Sequence, residues 1–181
     1  MEAIGGLVSY AGYDVIDVGA QRHSSAPTLE RIIWYQHLFQ NERGRECLSA
    51  HRRDLCRILW NEWSPGWQFD DATFARSAVS FDNPDFVEIV IHCYRWLFGL
   101  EAGDHAMQSL EDRLAKKPLV TLPAVTIDGA LDPLKPGGTA HHARMFAGLH
   151  EHRVVNVGHN CPQEAPQAFA DAVIRVREWL A

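Results

Sequence analysis

From residue 118 onward the chain changes its grammar. "LVTLPAVTIDG" (119–129) reads as a buried strand and "GTAHHARMFAGL" (138–149) as a helix. "HRVVNVG" (152–158) follows as a second strand, and "PQEAPQAFADAVIRVREWLA" (162–181) as a closing helix. Strands that alternate with helices force a parallel sheet with right-handed crossovers. In the closing helix, Phe169, Val173, Val176 and Leu180 recur at helical spacing and are expected to form its buried face.

Ahead of that alternation lies a different kind of sequence. Residues 4–10, "IGGLVSY", read as one strand, and the turn-rich "AGYDVIDVGAQRHSSAP" follows. Helices are then expected over about 28–40, 43–62, 71–80, 84–98 and 104–116. Pro65 and Gly66 in "WSPGWQFDD" break the run. The expected division is 1–19, a first core strand and the entry to a helical insertion; 20–117, the insertion; and 118–181, a β-α-β-α part of the same core. The fold class is therefore α/β, with about three parallel strands. Three strands leave an apolar edge that a parallel sheet normally covers. The expectation is that an N-terminal half is missing, and that the exposed edge takes either that half or a second copy of the chain.

The 181 residues include 46% hydrophobic ones, enough for a real core. The formal net charge is −6, and the one basic run, "HRRD" at 51–54, is short, so nucleic acid is not an expected partner. Cys47, Cys56, Cys93 and Cys161 form no CxxC, which suits a reducing compartment. No apolar run approaches 18 residues and no basic leader precedes the first strand, so the expected setting is the cytoplasm, without membrane contact.

The chemistry concentrates at the ends of the last two strands. Gly129 opens a loop that carries Asp132, and Gly158 ends the next strand immediately before His159. Functional groups in doubly wound sheets collect outside the carboxyl ends of strands. A carboxylate there can fix an imidazole's tautomer and stabilise the imidazolium, while the ring draws a proton from water. The plain alternatives stand beside this. Most of the ten histidines serve packing or solvation, G-x-x-D-P is also good turn chemistry, and Asp128 competes with Asp132 for the acid's place. A nucleophile is harder to find. No serine sits in G-x-S-x-G. Asp17 precedes Val-Gly-Ala, but the "QRHSSAP" that follows reads as loop, where an elbow needs a helix. The histidines of "HEH" (150–152), "HH" (141–142) and His159 fit no standard zinc spacing, so neither a metal nor any other cofactor is expected.

At this point the residues resemble a family. "GGLVSYAGYDVID", "WYQHLFQNERGR", "SPGWQFDDATFARSAVSFDNPDFVEIVIHCYRWLFGL", "PAVTIDGALDP" and "VGHNCPQEAPQAF" resemble, in order, the C-terminal part of the α/β-hydrolase superfamily. The branch is that of epoxide hydrolases and haloalkane dehalogenase-like enzymes. The resemblance implies that Asp132 is the triad acid and His159 the triad base. It implies a helical cap over a small apolar substrate. Tyr35 in "YQHLF" and Tyr94 in "CYRW" match the pair of cap tyrosines that hydrogen-bond an epoxide oxygen. Both also lie on apolar helix faces, where a tyrosine serves equally as core packing. The family's aspartate nucleophile and its elbow have no match in this sequence. Two readings follow: a hydrolase whose nucleophile comes from elsewhere, leaving the isolated chain poorly active or inactive, or a non-catalytic binding or interaction module.

Overall fold

The computed structural model describes residues 4–181, so the first three residues of the expected opening segment lie outside it. Three strands, β1 (Leu7–Tyr10), β2 (Ala124–Gly129) and β3 (His150–Val155), form one parallel sheet in the order β1-β2-β3. Register pairs Leu7 with Ala124 and Tyr10 with Ile127, then Ala124 with His150 and Gly129 with Val155. The described residues also form eight α-helices: α1 (Pro27–Ile32), α2 (Trp34–Leu38), α3 (Glu42–Trp63), α4 (Asp71–Ala78), α5 (Phe86–Leu97), α6 (Gln108–Leu114), α7 (Cys161–Glu164) and α8 (Pro166–Leu180).

The described residues fall into two compact units. One comprises the residues up to Ile16, Trp63–Trp67 and Lys116–Ala181; the other comprises Asp17–Glu62 and Gln68–Ala115. In the first unit the two faces of the sheet differ sharply. Val125 and Ile127 are fully buried, and with Cys161, Ala172 and Val176 they form the core, flanked by Val8, Tyr10, Val155, Val157, Phe169 and Trp179. Strand alternation sends Ser9, Thr126, Asp128, His150 and His152 to the opposite face. The second unit packs Tyr35, Phe39, Leu48, Leu55, Leu59, Trp60, Phe74 and Ile91 into its own core. Asp70 caps α4 there, its Oδ1 accepting from the Thr73 N–H at 2.7 Å.

Several elements depart from the sequence reading. The helix expected over 138–149 is a tight 3-10 turn at Ala140–Met145. Asp128 holds the Thr139 N–H and hydroxyl at the start of that turn, and the first closing bond runs from His142 N–H to Thr139 O at 2.8 Å, an i+3 step. The closing helix is two helices, because Ala165 precedes Pro166 and takes φ −135°, ψ 62° rather than helical angles. Its buried face is also rotated: Ala172 and Val176 are buried, whereas Val173 and Leu180 are more than half exposed. The helix expected over 28–40 is split at Ile33, where the Gln36 N–H closes a short turn onto Ile33 O at 2.8 Å. The long α3 bends at His51.

Candidate active site

The loop after β2 and the loop after β3 meet outside the carboxyl ends of the strands. Asp132 Oδ2 accepts from His159 Nδ1 at 2.8 Å. The same oxygen lies 2.8 Å from the Tyr10 hydroxyl, which also reaches Gly158 O at 2.8 Å. Asp132 Oδ1 accepts from the Leu134 N–H at 2.8 Å, an Asx turn that ties the carboxylate to its own loop. The Asp132 side chain is 1% exposed and the His159 side chain 29%. Nδ1 is committed to the carboxylate, and His159 Nε2 has no hydrogen-bond partner among the described residues. That is the arrangement of a base: one nitrogen orients the ring and the other is left to exchange a proton.

The electrostatics agree with this division of roles. Burial works to raise the Asp132 carboxyl. The hydrogen bond and charge of the His159 ring, with the bonds from Leu134 and Tyr10, outweigh it and hold the group below the usual carboxylate range. Burial, and then the bond to Asp132, push the Tyr10 phenol far above its usual value, so it stays a donor. Burial, followed by the charges of Glu164 and Asp132, raises the nearby Cys161 thiol to about 11, which keeps it protonated and unreactive at neutral pH.

Close approach at two glycines makes these contacts possible. A Cβ on Gly129 would stand 2.6 Å from the Tyr10 hydroxyl and 2.5 Å from Gly158 O. A Cβ on Gly158 would stand 2.6 Å from Ser64 Cα and 2.8 Å from Trp63 O. Gly129 ends β2, whereas β3 stops at Val155, three residues before the Gly158 expected to end it; both glycines are steric requirements of the site itself. Trp63 completes the surround: its carbonyl accepts from the His159 N–H at 2.9 Å, and its ring meets the imidazole edge-on at 5.6 Å, as does the ring of Tyr10.

The competing acid is elsewhere. Asp128, 3% exposed, is held by Thr139 through N–H and hydroxyl, and lies 3.4 Å from His152 Nε2. Asp17 accepts from the Ala20 N–H at 3.1 Å across a short turn in the second unit, with no helix seated on it as an elbow requires. His150 Nε2 and His152 Nδ1 both bond Thr126 Oγ1 at 3.0 Å, so "HEH" belongs to a hydrogen-bonded row. No cluster of three or more His, Cys, Asp or Glu among the described residues could hold a metal ion.

Tyr35 and Tyr94 come together in the second unit. Their rings meet edge-on at 5.5 Å, and Gln36 Nε2 donates to the Tyr35 oxygen at 3.2 Å. Burial, then the neighbouring Tyr35, raises the Tyr94 phenol far above its usual value. Tyr10, Trp63, Ser64 and Glu164 were not singled out from sequence as site residues. A tyrosine ending a strand one residue before the sheet's edge turn was the available signal for Tyr10.

Comparison with solved structures gives close neighbours. A "putative epoxide hydrolase" from Klebsiella pneumoniae matches with 39% identity and a TM-score of 0.91, over 96% of this chain and 58% of that one. A "putative epoxide hydrolase" from Pseudomonas aeruginosa matches with 16% identity and a TM-score of 0.70, over 99% of this chain and 60% of that one. A "putative alpha/beta hydrolase" from Nostoc sp. PCC 7120 matches with 14% identity and a TM-score of 0.68, over 96% and 57%. The last two speak to the fold alone. No protein-family model and no curated protein matches the chain. No helix among the described residues is long and apolar enough to cross a membrane. The chain spans a little under three fifths of the length of the Klebsiella protein, and sheet, crossovers and neighbours agree on one fold: its parallel sheet with flanking helices is that of the C-terminal part of an α/β-hydrolase fold.

Proposed function

We propose that this chain carries the acid–base portion of an epoxide-hydrolase-like active site, with Asp132 orienting His159. The observation that supports it most is the 2.8 Å bond from His159 Nδ1 to a buried Asp132, which leaves Nε2 available. In this reading an aspartate outside the present sequence attacks an epoxide carbon, and the carbon–oxygen bond breaks. Tyr35 or Tyr94 gives the departing oxygen a proton, a role suited to phenols that remain protonated. His159 Nε2 then takes a proton from water. The hydroxide adds to the ester carbonyl, the adduct collapses to the diol and the free aspartate, and the proton held by His159 returns through solvent to the tyrosinate left by ring opening. The substrate class is a small apolar electrophile. The outer edge of β1, which pairs with no strand among the described residues, is the expected seat of a complementing N-terminal hydrolase half or of a second copy.

The test is complementation. The chain is produced with a polypeptide carrying the nucleophile strand and elbow of an α/β-hydrolase and supplied with styrene oxide. Diol formation is expected, and replacing His159 by Gln should stop turnover while a covalent ester accumulates on the partner's aspartate, visible by mass. A stable complex that binds the epoxide but yields neither diol nor ester would favour the binding-module reading instead.

A further inference from the structure

The segment Trp63–Trp67 interrupts the helical part of the sequence, yet it packs with the sheet unit. Its contacts converge on the loop that carries His159. Ser64 is 1% exposed, and its hydroxyl donates to Glu164 Oε1 at 2.6 Å. The same Ser64 oxygen accepts from the Asn160 N–H at 3.0 Å and from Asn160 Nδ2 at 2.9 Å. Glu164 uses its other oxygen to accept from the Gly158 N–H at 3.1 Å. The residues on both sides of the histidine, Gly158 and Asn160, are thus tied to one Ser–Glu pair, and the histidine's own N–H is tied to Trp63 O. One hydroxyl satisfies three polar groups, so no simple apolar replacement restores the arrangement. Ser64 gives its proton to Glu164 and makes no bond to the imidazole, so it is not itself placed as a nucleophile.

We propose that Ser64, acting with Glu164, is a positioning residue for His159: it clamps the backbone on both sides of the imidazole so that Nδ1 stays aligned on Asp132. This rests on the reading of His159 as the base. A loop of this kind, with a proline at Pro162 and a short α7, has few bonds of its own to hold a ring within the tolerance that proton transfer needs.

The experiment is ¹H–¹⁵N NMR of the full chain, following the His159 Nδ1 proton and its exchange with water in five proteins: the unaltered chain, Ser64→Ala, Glu164→Gln, Val176→Ala and Asp132→Asn. A low-field Nδ1 proton is expected in the unaltered chain. Ser64→Ala should speed its exchange by roughly tenfold and Glu164→Gln by about threefold, as expected for losing bonds that restrain local opening. Val176→Ala, which opens a core cavity but removes none of the clamp's hydrogen bonds, should leave the exchange unchanged. If Ser64→Ala does not fold, Glu164→Gln decides. Unaltered exchange in every clamp variant that folds, or equal acceleration by Val176→Ala, overturns the proposal. Asp132→Asn reports on the underlying reading separately: if it leaves the low-field proton in place, the Asp132–His159 pair is not what holds that proton, whatever the clamp variants show.

Discussion

Two aspartate–histidine pairs lie within a few residues of each other in the sheet unit, and they are built for different ends. Asp128 and His152 sit on the polar face of the sheet. Both nitrogens of His152 are engaged, Nδ1 by Thr126 at 3.0 Å and Nε2 opposite Asp128 at 3.4 Å, and Thr139 holds both carboxylate oxygens of Asp128. Asp132 and His159 sit beyond the strand ends, where one nitrogen is engaged and the other is not. The residue types are the same. What separates a structural pair from one able to do chemistry is the count of ring nitrogens that face a polar protein group, and that follows from whether the histidine lies within a strand or past it. A strand position surrounds the ring with neighbours; a strand end leaves one side open.

Breaking each pair in turn should expose the contrast. The largest effect is expected for His159→Gln in the complemented enzyme, a loss of turnover of about ten-thousand-fold or more, in keeping with triad losses elsewhere. His152→Gln should leave turnover within about threefold, since a group away from the reacting atoms contributes little to the transition state. Steady-state diol formation measures both. Next comes Gly158→Ala, whose methyl would run into the Ser64 and Trp63 backbone. A destabilisation of about 3 kcal/mol is expected in urea unfolding, the upper end for overpacking. Asp128→Asn should cost about 1–3 kcal/mol by the same measurement, because it strips charge from a fully bonded carboxylate. It should leave the His159 Nδ1 proton signal where it is.

The smallest effect concerns pH. Burial, then the adjacent His152, lowers the His150 pKa, and burial, then His141, lowers that of His142. A histidine whose folded pKa is depressed binds protons more readily when unfolded, so its contribution to stability is intact above the ordinary histidine range and is lost as pH falls through and below about 6.5. Asp132, also depressed, adds a second loss as pH falls below about 4, where the unfolded carboxyl protonates first. Unfolding midpoints between pH 4.5 and 7 should therefore decline toward acid, and His150→Gln should flatten that slope. An unchanged slope would mean the polar face is not the source.

Much of this architecture is visible in the sequence because the strongest local signals agree with the final fold. Strand periodicity and the glycines at 129 and 158 place Asp132 and His159 at neighbouring strand ends, and the structure brings them into contact. The polar turn at Ala140–Met145 has the sequence pattern of a helix, since periodicity cannot reveal that Asp128 captures Thr139 and tightens the chain. Of the α8 face read from spacing, Phe169 and Val176 pack on the core, while Val173 and Leu180 give way to Ala172 and Trp179, because a small alanine adds little to a hydrophobic period. Ser64 is invisible for another reason: its partners Asn160 and Glu164 lie 96 and 100 residues further on, and hydrogen bonds of that separation leave no local trace.

The direct measurement is the tautomeric state of both rings in one long-range ¹H–¹⁵N spectrum of the neutral protein, near pH 8. The expected result is opposite tautomers. His159 should carry its proton on Nδ1, toward Asp132, with a bare Nε2; His152 should carry its proton on Nε2, toward Asp128, with Nδ1 accepting from Thr126. Finding His159 protonated on Nε2 would contradict the assignment, because the nitrogen needed to take a proton from water would already hold one.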